Sequence, residues 1–352
     1  MIPETMKALY TKEKKKDCYY LTERPTPKAG PGELLIKVGA AGICHTDIII
    51  HSGQARHVVY PFIPGHEFAG TIVGVGAGVK DRAIGERGGV MQFTVCHECR
   101  NCLLNRPVKM CLKAKELGAQ ADGAFAQYVV VPFTEFAPIP DHVTLDEAAM
   151  LEPLANAVYA VEASHILPGD QVVVIGPGPI GILSAKVAAL RDPAKVILVG
   201  TRDERLRVAR ERFGIADTIN ITHTDGEKRL VDDLLGGRGA DVVIEASGSL
   251  SGLELSLRIA APGARIAMEG TQAAGDTVPV NRLTLRDGAS ITNITTWRRL
   301  DYLNGARYVA RGIIDVKPLI THRLPLERWE EGFDLATGRK SECLKVIINP
   351  NN

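Results

Sequence analysis

The stretch Gln171-Val172-Val173-Val174-Ile175-Gly176-Pro177-Gly178-Pro179-Ile180-Gly181 carries the fold assignment. Val172 to Ile175 form an apolar run without polar alternation, the pattern of a strand buried on both faces of a parallel sheet. Gly176, Gly178 and Gly181 then fall at the G-x-G-x-x-G positions, and a helical pattern follows from Ile180 to Leu190. In that context glycine permits a tight turn and lets a pyrophosphate approach the helix N-terminus. The turn, with Pro179 and Ile180 inside it, is therefore a candidate dinucleotide site; the alternative is a plain strand-to-helix turn.

Working outward, Lys195 to Val199, Ala240 to Glu245 and Ala264 to Met268 read as further strands, and Glu204 to Phe213 as a helix. Ahead of the glycines, Ala155 to Ala163 reads as a helix and Pro168-Gly169-Asp170 as a turn. Strands alternating with helices of this length mean repeated βαβ units. Before about residue 150 the pattern differs: short β-type runs at Leu34 to Val38, Gly70 to Val79 and Ala126 to Val131, broken by Gly and Pro, suggest a β-rich, barrel-like unit. After Ser290 the pattern is mixed and ends in the strand Val346-Ile347-Ile348.

The end of the second βαβ strand bears on the choice of cofactor. NAD sites carry an acid about 20 residues past the glycines, where it accepts from the ribose hydroxyls. Here the 19th residue after Gly181 is Gly200, in Val199-Gly200-Thr201-Arg202-Asp203-Glu204-Arg205. Gly200 removes the charge that would repel a 2′-phosphate, Thr201 offers a hydroxyl, and Arg202, assisted by Arg205, offers a guanidinium fork. NADP(H) is thus preferred over NAD(H). In the opposing reading Asp203 turns inward to the ribose and Arg202 only stacks on the adenine.

Four of the seven cysteines, Cys96, Cys99, Cys102 and Cys111, crowd into one 16-residue loop. An odd total with such crowding suits metal better than disulfides, and four thiolates close a tetrahedral, structural Zn²⁺ shell. Elsewhere Cys44, in Gly42-Ile43-Cys44-His45-Thr46-Asp47, is followed by His66-Glu67 and by Glu152 in Leu151-Glu152-Pro153. Thiolate, imidazole and carboxylate make a three-donor site with a position left open, as a catalytic Zn²⁺ requires.

At roughly 150 residues per domain, 352 residues suggest about two domains. With 42 basic and 41 acidic side chains the net charge of +1 gives no field for nucleic acid or an anionic membrane, so the expected partner is a small molecule. The longest uncharged stretch, Gln171 to Ala185, is too short and too rich in Gly and Pro for a membrane span. Met1 to Lys7 lack the apolar core of a signal peptide, which makes the cytoplasm the expected location. Lys12 to Lys16, KEKKK, reads as a solvated turn between strands.

The series GICHTD, GHE, the four-Cys loop, LEP and GPGPIG resembles the zinc-dependent medium-chain dehydrogenase/reductase family, in its polyol (sorbitol-type) branch, over nearly the whole chain. The resemblance implies an α/β protein in which a GroES-like β-rich catalytic domain (residues 1–153 and 291–352) is interrupted by a Rossmann doubly wound parallel-sheet domain (154–290). It places catalytic Zn²⁺ in the cleft between them, on Cys44, His66 and Glu67, with Glu152 either a ligand or the holder of the metal's water. We expect Glu152 outside the reactive shell, because a second carboxylate would make the site anionic and weaken its Lewis acidity. Thr46 matches the hydroxyl that accepts the substrate proton. Two zinc ions per chain and a homodimer or homotetramer are also implied.

Three departures qualify the resemblance. The relay histidine expected five positions after Cys44 is Ile49, with His51 a possible substitute; the segment between Cys102 and Cys111 is one residue longer than usual; and Thr292-Asn293 replace the Arg-Tyr pair ahead of Trp297 in polyol relatives. The expected activity is that of an NADP(H)- or NAD(H)-linked alcohol dehydrogenase or ketone reductase acting on a polyol, sugar-derived or secondary alcohol. The alternatives are a simple secondary-alcohol or amino-alcohol (threonine-type) dehydrogenase using NAD, a zinc-independent quinone-reductase-like relative, and a non-catalytic binding protein on the same fold. Ile48, Ile49, Ile50 and Trp297 are candidates for an apolar substrate pocket, and Thr292, Asn293 and Arg298 for substrate hydroxyls.

Overall fold

The computed structural model describes residues 1–55, 58–270, 277, 288–338 and 343–352. The chain divides into two compact units, Met1–Glu152 with Tyr302–Asn352, and Pro153–Asp301.

Among the described residues of the second unit six strands form one sheet, parallel throughout, in the spatial order Asp217–Asn220, Lys195–Gly200, Gln171–Ile175, Ala240–Glu245, Ala260–Met268 and Ser290–Asn293. Numbered along the chain the order is 3-2-1-4-5-6, that of a doubly wound dinucleotide-binding sheet. Gln171–Ile175 is central: Val173 lies opposite Ile197 on one side and Val243 on the other, and all five of its residues are buried. Because both faces are covered, the strand needs no alternation, which is why the VVVI run is informative. The helix Asp203–Phe213 has acids in its first turn, arginines in its last, and Gly214 at φ 65° to end it, each matching the helix dipole or the left-handed cap.

The first unit is built on a seven-stranded sheet. Its path runs Ile320–Pro325, Lys345–Asn349, Glu33–Gly42, Glu67–Val75, Arg87–Val90 and Phe136–Pro138, with Tyr128–Pro132 added to the first half of Glu33–Gly42. The C-terminal strand is therefore integral: Ile347 pairs with Gly42, and Gly42 pairs with Glu67. Leu34, Ile36, Phe68, Ile72, Phe125, Phe136 and Ile348 pack into its core. A hairpin of Thr5–Tyr10 and Tyr20–Pro25 flanks it, with Lys12–Lys16 exposed at the turn as charge patterning suggests.

Two strands of the parallel sheet escaped the sequence reading. Asp217–Asn220 (DTIN) and Ser290–Asn293 (SITN) are four-residue segments in which isoleucine is the one apolar residue, too short and too polar to show a period. The second continues the parallel sheet, so the chain re-enters the first unit at Tyr302, later than the expected return at residue 291. Among the described residues no helix is long and apolar enough to cross a membrane.

Candidate metal and cofactor sites

Cys44 precedes the short helix His45–His51, and His66 and Glu67 stand at the start of strand Glu67–Val75. Sheet register brings them together, since Glu67 lies opposite Gly42, two residues before Cys44. Among the described residues the donor atoms of Cys44, His66 and Glu67 all lie within 4.8 Å of one another. A tetrahedral Zn²⁺ with bonds of about 2.0–2.3 Å holds its ligand atoms about 3.3–3.8 Å apart, so small side-chain shifts complete the shell. His66 and Glu67 are buried, and Cys44 is partly so.

The surroundings of the three donors call for a cation. Burial disfavours a charged imidazole, yet Asp47, Cys44 and Glu152 together raise the His66 pKa well above its ordinary value. Burial likewise disfavours the Lys345 ammonium, and Glu67, Cys44 and Glu152 raise its pKa nevertheless. Burial pushes the Cys44 thiol up, with Glu67 adding to the effect. A divalent metal on these donors takes the place of the His66 proton and favours the Cys44 thiolate, while Lys345 stays paired with Glu67, which is the fit expected of a Zn²⁺ site.

Two residues of this cluster were not anticipated. Asp47 is fully buried; its Oδ2 accepts the backbone N–H of Cys44 at 2.9 Å, and its Oδ1 lies 3.7 Å from His66 Nδ1. Burial raises its pKa to about 6, against the opposing pull of His66. A carboxylate behind a ligating histidine fixes the ring's tautomer and aim. The signal was present as Cys44-x-x-Asp47, a capping box with cysteine in the serine position. Lys345 Nζ donates to Glu67 Oε2 at 2.6 Å and to the Ile43 carbonyl at 3.1 Å, with both partners of the ion pair buried. In sequence it resembles any lysine at a strand edge.

Glu152 is buried in the first turn of helix Leu151–Ala163 and lies outside the three-donor set, although its charge acts on His66, Lys345 and Tyr302. Thr46 Oγ1 stands 3.8 Å from Cys44 Sγ. His51 is engaged elsewhere: its ring stacks on Tyr19 at 4.8 Å, its Nδ1 accepts the Tyr19 backbone N–H, and its Nε2 lies 3.6 Å from Asp17 Oδ1. Trp329 and Phe333 pack edge-on against it. It reads as a packed core-edge histidine.

Cys96, Cys99, Cys102 and Cys111 form the second cluster, again within 4.8 Å. Their sulfurs are 3.5 Å apart for Cys96–Cys111, 3.6 Å for Cys99–Cys102 and 3.9 Å for Cys96–Cys102, against about 3.8 Å for a ZnS₄ tetrahedron. Despite the lengthened segment, a 3₁₀ turn at Val108–Met110 delivers Cys111 to the cluster. Backbone N–H groups of Cys96, Cys99 and Lys113 donate to the sulfurs of Cys111, Cys96 and Cys111 respectively, the usual support for thiolates. Such bonds from Leu112 and Cys102 pull the Cys99 thiol down to about 6, whereas burial pushes Cys102 up to about 12.

In the second unit Gly176 has φ 109°, and a Cβ on Gly181 would fall on the Gly176 carbonyl oxygen, so the turn admits only glycine at both positions. Gly178 caps the helix Pro179–Ala188, whose first turn exposes backbone N–H groups suited to a pyrophosphate. A Cβ on Gly178 would lie 4.0 Å from Arg205 Nη1, which sets that guanidinium beside the turn. A Cβ on Gly200 would meet Pro177 Cγ at 2.6 Å, so the position where an NAD-type acid is expected has no room for a side chain. Thr201 is exposed, Arg202 caps the next helix, and Asp203 is its first residue.

The residues suggested for a substrate pocket are distributed differently. Ile50 and Trp297 are fully buried, and Ile48 and Ile49 pack against the core of the first unit. Arg298 makes a two-pronged bond to the buried Asp301 and lies over the Tyr159 ring, which commits its guanidinium to the protein. Thr292 and Asn293 are exposed on the edge strand of the parallel sheet.

Residues 30–141 match the family described as alcohol dehydrogenase GroES-like domain, and residues 179–307 that described as zinc-binding dehydrogenase. The chain belongs to the zinc-dependent medium-chain dehydrogenase/reductase family and is an oxidoreductase of the alcohol dehydrogenase kind. Its relatives include the L-threonine 3-dehydrogenase of Bacillus subtilis (strain 168), 35% identical over 339 residues, 94% of each chain. Among solved structures it resembles a zinc-binding dehydrogenase of Sinorhizobium meliloti 1021 bound to NADP, with TM-score 0.91 and 28% identity over 99% of this chain and all of the other. It also resembles an alcohol dehydrogenase of Escherichia coli CFT073 complexed with NADH, with TM-score 0.90 and 29% identity over the same shares. The sorbitol-type branch is not singled out by these relatives; their names favour the amino-alcohol alternative.

Proposed function

We propose that this chain is an NADP(H)-linked zinc-dependent dehydrogenase of secondary alcohols, with threonine-type amino alcohols as the substrate class. The observation that carries the reading is the three-donor cluster of Cys44, His66 and Glu67 with Thr46 beside it. The L-threonine 3-dehydrogenase relatives support the substrate class, and the crowded Gly200 with Arg202 and Arg205 nearby supports NADP(H). A cytoplasmic homodimer or homotetramer completes the reading, the oligomer to be checked by sedimentation.

When bound, Zn²⁺ supplies the Lewis acidity that makes an alcohol hydroxyl acidic near neutral pH, and the nicotinamide supplies the hydride acceptor. Cys44, His66 and Glu67 hold the metal, and Asp47 aims His66. Lys345 offsets the Glu67 charge, which keeps the donor set from becoming too anionic to activate a substrate. Glu152 stands behind as a further carboxylate. Thr46 Oγ accepts the substrate proton and hands it on, a role in which His51 takes no part because both its nitrogens are engaged elsewhere.

The test is a panel of L-threonine, 2,3-butanediol and sorbitol with NADP⁺ and NAD⁺, read as kcat/KM. The highest value is expected for the amino alcohol with NADP⁺; a maximum on sorbitol overturns the substrate class. Arg202→Ala is expected to raise KM for NADPH by roughly tenfold to a hundredfold, the factor carried by hydrogen bonds of about 1.5–3 kcal/mol to a charged group. KM for NADH should hardly move, and equal effects on both cofactors would sink the 2′-phosphate assignment. One ion per donor set gives two zinc per chain, and Cys102→Ser should remove one of them and lower the melting temperature while sparing the other. Metal analysis of the purified variant checks this directly.

A further inference from the structure

Near the cofactor's expected adenosine end one acid, Asp203, lies within three residues of Gly200, and its carboxylate is already spoken for. Asn220 Nδ2 donates to Asp203 Oδ1 at 2.9 Å, and His223 Nε2 lies 3.0 Å from Asp203 Oδ2. Asn220 ends the strand Asp217–Asn220, which flanks Lys195–Gly200 on the side opposite Gln171–Ile175 and its glycine turn. Both oxygens are thus bonded to groups on the side of the strand away from the dinucleotide turn.

Asn220 is itself fixed. It is buried, and its Oδ1 accepts the backbone N–H of Thr222 at 3.0 Å and the Thr222 hydroxyl at 2.7 Å. A backbone N–H only donates, so the carbonyl end of the amide must face Thr222 and the NH₂ end must face Asp203. The Asn220 bond and then His223 hold the Asp203 carboxyl below the usual carboxylate range, and the helix N-terminus adds to the preference for an anion there.

We propose that Asn220 and His223 determine cofactor specificity: by holding both oxygens of Asp203 toward the Asp217–Asn220 strand, they keep a carboxylate off the adenosine ribose and leave its 2′ position to a phosphate. This rests on the NADP(H) reading, in which Arg202 and Arg205 take that phosphate. Asn220 and His223 are positioning residues, acting through Asp203. They distinguish this chain from one that rejects NADP(H) with an acid at the strand end, because here the acid is present but turned aside.

The experiment is fluorescence titration of the zinc-loaded full chain with NADPH and with NADH, giving two dissociation constants for each protein. His223→Ala, and the double variant Asn220→Ala/His223→Ala, release Asp203. Each is expected to shift the preference toward NADH by about tenfold or more, the factor set by one gained charge-assisted hydrogen bond and one new charge repulsion. Adding Asp203→Asn to either should restore the preference for NADPH, which loss of local structure would not allow. The His223 side chain is 56% exposed, so its variant retains the fold even if the Asn220 variant does not. A wild-type chain that prefers NADPH, with variants that keep that preference, overturns the positioning roles alone. A wild-type chain that binds NADH more tightly than NADPH overturns the NADP(H) reading and the inference with it.

Discussion

His66→Ala is expected to lower kcat/KM for alcohol oxidation by about 10³-fold or more, and to remove one zinc per chain, because metal Lewis acidity is worth several kcal/mol at about 1.4 kcal/mol per decade. The imidazole is one of only three donors within 4.8 Å among the described residues, so its loss leaves a thiolate and a carboxylate. Two donors do not hold Zn²⁺ against water, and the remaining groups turn to other partners: Glu67 keeps its bond to Lys345. NADPH affinity should stay within about twofold, since the glycine turn belongs to the other unit and has no residue in the donor set, and a change under about 0.5 kcal/mol is ordinary for a substitution outside a binding feature. Metal analysis, steady-state rates and cofactor titration on one preparation check the three statements. A variant that keeps both zinc ions and its rate would show that the catalytic metal lies elsewhere.

The candidate donor clusters and the glycine turn were legible in the sequence for a physical reason. Each depends on short-range spacing: Cys96-x-x-Cys99-x-x-Cys102 turns neighbouring sulfurs toward one point, and Gly176 and Gly181 are demanded by a local turn. The apolar strand Gln171–Ile175 was legible because complete burial erases alternation. What stayed hidden is set by contacts distant along the chain. Lys345 meets Glu67 only because the C-terminal strand pairs with Glu33–Gly42, which in turn pairs with Glu67–Val75. The Asn220–Asp203 bond needs adjacent parallel strands, one of them too short to recognise. Arg298 and Trp297, offered as pocket residues on local sequence, are consumed by Asp301 and by the core. Asp47 is the exception, a local capping signal masked by cysteine standing where serine is expected.

The Lys345–Glu67 pair gives the sharpest test of that hidden part. Lys345→Met is expected to destabilise the metal-free protein by about 3–5 kcal/mol, the cost of stranding one partner of a buried ion pair. Glu67 is 2% exposed and Lys345 6%, so water cannot replace the lost ammonium at the carboxylate. Zn²⁺ can, because it brings positive charge to the same oxygens. The gap between melting temperatures with zinc and with a chelator should therefore be wider in the variant than in the wild type. Lys345→Arg, which keeps the charge, should lose much less. Adding Glu67→Gln to Lys345→Met should recover most of the metal-free stability, since the pair's energy lies in the mismatch rather than in either residue alone. Urea denaturation in chelator of the wild type, Lys345→Met, Glu67→Gln and the double variant completes the cycle. If Lys345→Met melts within about a degree of the wild type in chelator, less than 1 kcal/mol is at stake and the pair has no such role.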